Sequence, residues 1–420
     1  MPRSTVFSRR LAALGGAVAL AVGTVAFAPR PAPKEPVCAK DNGGLVLAPG
    51  LCATLFAADI GAPRHVVAAP NGDLFVALYG KGGGVLALRD TSGDGVADLS
   101  RRFGPGSGNG IAMGGGYLYF ATDTQVVRWK MTPGQLKPTS PMETIVTGLP
   151  VDGNHVSKSV ALLGDQLIVN VGSATNTCQE EDRATKSPGR EPCVELETRA
   201  GLWRFSVSKP NQRQADGVRY ATGIRNAVAL AVRPGSNVVF AAQHGRDQLA
   251  QNWGFSAEKN AENPAEEFLR VQEGDDFGWP RCYFDNDLKS KVLSPEYGGD
   301  GSKTGACAQA KQPVRAFPGH WAPNAIAFAK PGALGASFGD GAFIAFHGSW
   351  NRAPLPQAGY RVVFQPLTKD GTAAGDYVTV ATLKGAETGL RAAGVAVDPT
   401  GALFIAADRN GKVWRVVRKS

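Results

Sequence analysis

The chain has 420 residues, a formal net charge of +9 and six cysteines. Glycine (53) and proline (28) are too frequent for an all-helical protein, while 43% hydrophobic residues supply a large core and exclude general disorder. No stretch beyond the N-terminus is apolar enough to span a bilayer, which excludes a polytopic membrane protein.

The first 28 residues have the pattern of an export signal. Arginines at positions 3, 9 and 10 precede an apolar run that ends in Ala-Phe-Ala at residue 28, a typical cleavage motif. A retained membrane anchor is the alternative interpretation. Alternating prolines indicate an extended linker over residues 29–44. We therefore expect a periplasmic or secreted protein with no stable membrane insertion once the signal is removed.

The net charge limits which partners the protein can have, and the number of cysteines indicates the cellular compartment. Loss of the signal lowers the net charge to +6, and no Lys/Arg run indicates a nucleic-acid partner. This mild charge suits an anionic cofactor or an acidic partner. An even number of cysteines in an exported chain predicts disulfides. Fifteen pairings are possible, and we favour neighbour pairing because each bond then closes a local loop: 38–52, 178–193 and 282–307.

A two-strand pattern occurs six times along the chain. Each copy alternates apolar and small or polar residues, turns at Gly, Asn or Pro, and alternates again, which predicts a β-hairpin. The copies begin at Arg64, Asn109, Ser159, Asn226, Asn324 and Ala393. The first spacings are about 45 residues, the length of a four-stranded blade.

Six copies predict an all-β fold, a six-bladed β-propeller formed by a single domain at residues 45–420. A pair of β-sandwiches is the alternative. The later spacings are longer, so we expect long loops inserted after blades three, four and five. A strand near Ala53–Phe56 is expected to close the ring by pairing with the C-terminal blade.

Residues 90–98 resemble the first half of a calcium loop. Asp90, Ser92 and Asp94 alternate before a glycine. The twelfth position is Arg101 rather than Glu, which excludes an EF-hand. A polar hairpin turn is the alternative interpretation.

Polar and charged residues precede the strands predicted to line the propeller axis. A propeller arranges such positions around one axis, so these side chains can converge. Cations, histidines and aromatic rings together suit an anionic planar ligand. The set comprises Arg64, His65, Asn109, Asn154, His155, Arg225, Asn226, His320, Trp321 and Arg391.

Several of these segments are similar to a known family. The chain resembles the soluble sugar dehydrogenases that depend on pyrroloquinoline quinone (PQQ), in particular the glucose/sorbosone dehydrogenase group, over about residues 45–418. The matching segments are Gly-Asn-His at 153–155, Tyr-Ala-Thr-Gly-Ile-Arg-Asn at 220–226, Gln-His-Gly at 243–245, Asp-Asp-Phe-Gly-Trp-Pro at 275–280 and His-Gly-Ser-Trp-Asn-Arg at 347–352. The family fold is a six-bladed propeller, in agreement with the repeat count.

The resemblance implies roles for particular residues. His155 is implied as the general base for a sugar hydroxyl, and Arg225 as the cation beside the reacting oxygen. The carbonyls of His244 and Gly245 are implied as calcium ligands. The implied cofactor contacts are Asn226, His320, Trp321 and Arg391. We add Arg64, which belongs to the set of residues before the inner strands, as a further candidate contact.

Two departures from the family concern the cofactor site. Glucose-oxidising members carry a lysine where this chain has residues 349–352, and His347 or Arg352 is the candidate replacement. A glutamine expected near the second blade is replaced by Gly108 and Asn109.

The resemblance therefore implies oxidation of an aldose or related carbonyl sugar with PQQ and Ca²⁺. The electrons would pass to an external acceptor, a cytochrome or a quinone. A calcium-dependent lactonase and a non-catalytic propeller that binds a glycan or protein are the alternatives.

Overall fold

A computed structural model describes residues 1–2, 37–385 and 389–419. Apart from its first two residues, the predicted export signal lies outside these ranges. Contacts separate a short unit, Met1–Pro33, from a large unit, Lys34–Ser420, which contains every strand. Within the described ranges, no helix has the length and apolar character needed to cross a membrane.

Six sheets of four or five strands form a closed ring, together with one separate hairpin. The first strand of each sheet lies innermost and contacts the first strands of both neighbouring sheets, and the sixth contacts the first. The six-bladed propeller predicted from the repeats is confirmed.

Blades one and two follow the predicted spacing. Blade one is an antiparallel meander of β3 (Ala62–Ala68), β4 (Leu74–Tyr79), β5 (Gly84–Arg89) and β6 (Leu99–Phe103). Blade two consists of β7 (Gly108–Gly114), β8 (Tyr117–Thr122), β9 (Val126–Lys130) and β10 (Glu143–Thr147), with the short β14 (Gln212–Arg213) parallel to its outer edge.

Blades three and four carry the long insertions. Blade three consists of β11 (Val160–Leu163), β12 (Gln166–Val171), β13 (Gly201–Ser206) and β15 (Val218–Thr222). Blade four consists of β16 (Ala229–Val232), β17 (Val239–Gln243), β18 (Glu266–Val271) and β21 (Arg315–Phe317). Its insertions contain α1 (Leu249–Trp253), α2 (Ala257–Glu262) and the hairpin of β19 (Cys282–Asp285) and β20 (Ser290–Leu293).

Blades five and six close the ring with strands from the start of the domain. Blade five consists of β22 (Pro323–Phe328), β23 (Gly341–Phe346), β24 (Arg361–Pro366) and β25 (Val378–Leu383), with β1 (Leu45–Leu47) on its edge. Blade six consists of β26 (Ala392–Val397), β27 (Leu403–Ala407), β28 (Lys412–Arg418) and β2 (Leu51–Ala57). The pairing of β2 with β28 confirms the predicted closing strand.

Short 3₁₀ helices occupy several connections. They are Asn42–Gly44, Val194–Glu197, Gln214–Asp216, Pro295–Tyr297 and Gly305–Gln309.

The core lies between the blades. Six apolar clusters each join residues from two adjacent blades. A blade therefore buries both of its faces, which is why strands such as β4 read as continuous apolar runs. The inner strands leave an axial cavity of about 240 Å³, lined by His65 and by residues with apolar side chains.

The long insertions lie within blades three, four and five rather than after them. Residues 172–200 connect the second and third strands of blade three, and residues 347–360 do the same in blade five. Blade four is interrupted twice, at 244–265 and 272–314. The repeat spacing runs from one inner hairpin to the next, so it gives the length of an insertion and not its place within a blade.

All three disulfides follow the predicted neighbour pairing: Cys38–Cys52, Cys178–Cys193 and Cys282–Cys307. The second and third bonds each close a loop inside an insertion. The first bond ties residue 38, in the segment predicted as linker, to strand β2.

The 90–98 loop forms a polar turn between β5 and β6. The Asp90 carboxylate accepts hydrogen bonds from the amides of Gly93 (2.6 Å) and Gly95 (2.8 Å). The Asp98 carboxylate accepts from the hydroxyl of Thr91 at 2.7 Å. Backbone capping of this kind matches the polar-turn interpretation.

Candidate active site

Antiparallel pairing brings the candidate residues to one end of the axial cavity. In each blade, the beginning of the inner strand and the end of the second strand meet at the same end. His155 precedes β11, and Arg225 precedes β16. His244 follows β17, and His347 follows β23. We call this end the site mouth.

His155 is held in one orientation by the backbone. Its Nδ1 lies 2.8 Å from the carbonyl oxygen of Ser173, which requires the hydrogen on Nδ1. Nε2 then carries the lone pair and has no hydrogen-bond partner among the described residues. Burial, assisted by the positive charge of Arg225, holds the pKa of His155 well below its ordinary value. The imidazole is therefore neutral at neutral pH, in the form that accepts a proton.

Gly172 permits the close approach of this histidine to blade four. A methyl group on Gly172 would lie 2.5 Å from Cβ of His155 and 2.8 Å from Oδ1 of Asn226. The next residue links the same elements, because the Ser173 amide donates to the Arg225 carbonyl at 2.8 Å. The position of His155 is thus coupled to the segment that carries Arg225.

Arg225 is buried, with 3% of its surface exposed. Its Nε donates to the carbonyl oxygen of Asn176, and Nη2 donates to Oδ1 of the same residue, both at 3.0 Å. Nη2 also lies 3.2 Å from Oδ2 of Asp247, and Nη1 lies 3.4 Å from the His244 carbonyl. The guanidinium is held from three sides, and Nη1 has the weakest of these contacts.

Asp247 connects four separate elements at the site mouth. Oδ2 accepts from Arg183 at 2.9 Å and from Arg225 at 3.2 Å. Oδ1 accepts from Nδ2 of Asn351 at 2.6 Å and lies 3.7 Å from Nδ1 of His320. Burial opposes ionisation of this carboxyl, but the charges of Arg225 and Arg183 outweigh it and lower the pKa of Asp247. The Asp247 carboxylate is therefore ionised, and its single negative charge offsets one of the two positive charges of Arg183 and Arg225.

Asn226 presents a free amide to the mouth. Its Oδ1 accepts from Nδ2 of Asn170 at 3.1 Å, and Asn170 in turn accepts from the Ala227 amide. This pairing fixes the amide orientation. Nδ2 of Asn226 has no hydrogen-bond partner among the described residues and remains available to a ligand.

The carbonyls of His244 and Gly245 are the implied calcium ligands. The His244 carbonyl accepts only the long contact from Arg225, at 3.4 Å, and no described residue donates to the Gly245 carbonyl. The His244 ring is anchored separately, with Nε2 3.1 Å from Oδ1 of Asn324. Two adjacent backbone oxygens with unused lone pairs are suitable ligands for a hard cation.

A second polar cluster lies across blades one, five and six. Asp408 accepts from Nη1 of Arg64 at 2.8 Å and from Nε2 of His347 at 2.9 Å. Arg391 places Nη1 3.5 Å from Nδ1 of His347 and its guanidinium 4.8 Å from the ring centre of Tyr360. Nε of Arg391 is buried without a hydrogen-bond partner in the described part of the chain. The cluster therefore has cationic donors that the protein does not use.

The loop 347–351 joins the two clusters. His347 at its start belongs to the cluster around Asp408, and Asn351 at its end donates to Asp247. The structure thus brings together most of the predicted site residues: Arg64, His155, Arg225, Asn226, His244, Gly245, His320, His347 and Arg391.

Trp321 and Arg352 do not join this group. The Trp321 ring packs against Phe346, with ring centres 5.3 Å apart, in the core between blades four and five. Arg352 is buried and donates to the carbonyls of Pro356 (3.1 Å) and Gly319 (3.0 Å), with Nη2 2.5 Å from Glu262. The donors of Arg352 hold the insertion loops and leave little for a cofactor, and Trp321 is a core residue, so neither is placed with the predicted site residues at the mouth.

The sequence interpretation missed four members of the site: Ser173, Asn176, Asp247 and Asp408. Asp408 follows the second strand of blade six, the position that His244 and His347 occupy in their blades. A search of that position in all six copies would have found Asp408. Asn176 lies inside a long loop, where no repeat position marks it.

Solved structures share the fold at low sequence identity. A family AA12 carbohydrate-active enzyme from Trichoderma reesei, in an iodide structure, is 21% identical with a TM-score of 0.74, covering 90% of this chain and 98% of that one. The holo PQQ domain of pyranose dehydrogenase from Coprinopsis cinerea is 19% identical with a TM-score of 0.73, covering 89% and 97%. PQQ-bound aldose sugar dehydrogenase from Streptomyces coelicolor is 19% identical with a TM-score of 0.54, covering 89% and 99%.

No curated protein matches the chain significantly in sequence. The structural neighbours share the six-bladed propeller fold that the sequence motifs implied. A family model described as TrAA12-like matches residues 45–419, nearly the whole propeller. The chain belongs to the TrAA12-like family.

Proposed function

We propose that the protein is a PQQ- and calcium-dependent dehydrogenase that oxidises an aldose or related carbonyl sugar of the glucose/sorbosone type. The arrangement of His155 carries the proposal. A neutral imidazole with a free Nε2 lies at the mouth of a propeller, coupled through Ser173 to a buried arginine. This is the geometry of a general base for a hydroxyl proton.

The unused donors at the mouth fit an anionic quinone cofactor. PQQ is planar and carries three carboxylates, for which arginine is the preferred partner. Among the described residues, Arg391 has a buried Nε without a hydrogen-bond partner, and Arg64 makes no hydrogen bond through Nη2. Together with the free amide of Asn226, these groups would hold the cofactor.

The unused carbonyls fit calcium beside that cofactor. The oxygens of His244 and Gly245 would supply two ligands, and the cofactor would complete the coordination. When bound, PQQ with calcium supplies a two-electron oxidant whose carbonyl the metal polarises.

The residues of this chain then perform the protein's part of the reaction. His155 accepts the substrate hydroxyl proton at Nε2, while Ser173 keeps the ring in the required tautomer. Arg225 directs positive charge to the same region, and Asp247 limits its movement. The free proton-accepting atom argues against a propeller that only binds glycans.

A calcium-dependent lactonase on this fold would need acidic side chains that converge on the metal. Within the described ranges, no group of three His, Cys, Asp or Glu side chains is placed to hold a metal ion. The carbonyl ligands and surrounding arginines favour the quinone cofactor instead.

We further propose that the protein acts in the periplasm or outside the cell and passes electrons to a cytochrome or quinone. The three disulfides are typical of an oxidising compartment. The candidate site lies at one end of the ring among the insertion loops, and we propose that an external acceptor reaches the cofactor from this end.

Dye reduction by the purified apo-protein tests the function. We expect turnover of an aldose or keto-sugar only when PQQ and calcium are both present, and its loss on chelation. The absorbance spectrum of PQQ should change on binding. No turnover and no spectral change would refute the proposal, and hydrolysis of sugar lactones would then support the lactonase.

A further inference from the structure

Trp350 is the one tryptophan of seven that is exposed, with 67% of its surface accessible. Of the other six, five are at most 5% exposed and Trp253 is half-buried. An exposed tryptophan ring offers a large apolar face to a ligand, and the contacts of its neighbours decide whether that face is held in place.

Hydrogen bonds hold the residues on both sides of Trp350, through the backbone of Ser349 and the side chain of Asn351. The Ser349 amide donates to the Ala358 carbonyl at 2.9 Å, and the Ser349 carbonyl accepts from the Tyr360 hydroxyl at 2.5 Å. On the other side, Asn351 donates to Asp247 at 2.6 Å. The ring is therefore presented by an anchored loop and not by a loose surface tip.

The loop also places Trp350 between the two polar clusters. It starts at His347, which contacts Asp408, and ends at Asn351, which contacts the Asp247–Arg225 pair. The next residue after the tryptophan, Asn351, makes the contact to Asp247. The ring is thus attached to the rim of the mouth that contains the proposed base.

We propose that Trp350 is a substrate-binding platform that stacks against the apolar face of a sugar ring at the site mouth. A pyranose presents axial C–H groups on one face and hydroxyls around its edge. A large aromatic ring binds the C–H face, and the polar groups along the rim bind the hydroxyls. The proposal rests on the proposed function and adds to it a residue that selects cyclic sugars.

Two-substrate kinetics on holoenzyme test the platform, with sugar and dye acceptor varied independently. We expect Trp350→Ala to raise KM for the sugar roughly tenfold, the scale of one lost aromatic contact, with kcat and the KM for the dye unchanged. Trp350→Phe should recover most of this loss because it keeps an aromatic face. Leu288→Ala removes another exposed apolar side chain, 48% accessible in the turn of the β19–β20 hairpin, and should change neither KM.

An increase in the KM for the dye with an unchanged KM for the sugar would overturn the proposal and assign Trp350 to acceptor docking. Equal kinetics in wild type and Trp350→Ala would overturn it as well.

A binding measurement separates this failure from failure of the proposed function. Iodide quenches exposed tryptophan preferentially, and saturating sugar should protect the wild type but give no protection in Trp350→Ala. Protection without any turnover would refute the dehydrogenase and retain the platform. Turnover in the wild type without protection would retain the dehydrogenase and refute the platform.

Discussion

Replacement of Asp247 by Asn tests whether one carboxylate holds the site mouth together. The substitution keeps the shape and an acceptor for Asn351, but it removes the charge that faces Arg183 at 2.9 Å and Arg225 at 3.2 Å. Only 12% of the Asp247 side chain and 4% of the Arg225 side chain are exposed, so water can replace little of the lost charge. Arg225 would then lose the one ion pair it makes among the described residues, whereas Arg183 would keep its longer contact to Asp182 at 3.9 Å.

The expected cost follows from that burial. Removal of one partner from a buried ion pair typically costs about 3–5 kcal/mol, and the isosteric amide places Asp247→Asn near 3 kcal/mol. With an unfolding entropy of about 2.1 cal/mol/K per residue over the roughly 390-residue large unit, this lowers Tm by about 4 °C. Asp152→Asn is the matched control, because Asp152 pairs with Arg199 but is 85% exposed. A surface pair contributes about 0–1 kcal/mol, so the control should lower Tm by at most about 1 °C.

Calorimetry of both variants, without cofactor, decides the point. An equal, small fall in Tm for the two variants would refute the role of Asp247 as the link between these loops. A second readout is the pH profile of kcat/KM. The Asp247 charge raises the pKa of His155 against the larger lowering by burial and Arg225. Its removal should therefore move the acid limb to lower pH, while Asp152→Asn leaves it in place.

Three further predictions concern the base, its packing and acid stability. His155→Asn should lower kcat by about 10²–10⁴-fold with PQQ affinity retained in a spectral titration, and near-normal turnover would remove His155 as the base. Gly172→Ala should reduce turnover at least tenfold because the added methyl meets His155 and Asn226, whereas Gly339→Ala, with no atom within 4 Å, should behave as wild type. Burial, assisted by the positive charge of Arg64, lowers the pKa of His65 to about 4. The neutral His65 therefore contributes its full share to folding stability above the ordinary histidine pKa of 6.5, and this share is lost as the pH falls from 6.5 towards 4. Denaturant unfolding at pH 7 and pH 5 should show about 2 kcal/mol of acid destabilisation from this residue, and an unchanged pH dependence in His65→Gln would contradict the assignment.

The propeller could be predicted from the sequence because its signal is local. Each inner hairpin alternates with period two around a turn, and six such hairpins define the ring whatever lies between them. The edge strand β1 and the parallel β14 were not predicted, since neither has a hairpin partner nearby in the chain. Long-range edge pairing of such short strands leaves no periodic pattern.

The candidate site could be predicted only in part. Motif similarity indicated His155 and Arg225, and the repeat positions indicated Arg64 and Arg391. The partners that orient these residues are far away in the chain: Asn176 accepts from Arg225 across 49 residues, and Asp408 accepts from Arg64 across 344. Such contacts depend on how insertion loops fold over the mouth, and no local pattern encodes them.

The arginines show why residue type alone could not define the site. Arg352 lies in a family motif, yet three carbonyls and Glu262 use its donors, so it holds loops together. Arg391 lies on the same side of the ring and retains a buried Nε without a partner. A buried donor without a partner costs free energy, yet Arg270, Arg315 and Arg361 also keep one away from the mouth. The free Nε of Arg391 therefore supports a cofactor contact only together with its place at the mouth. For an arginine at the mouth, the number of donors left unused by the protein, rather than its presence in a motif, separates a cofactor contact from a structural one.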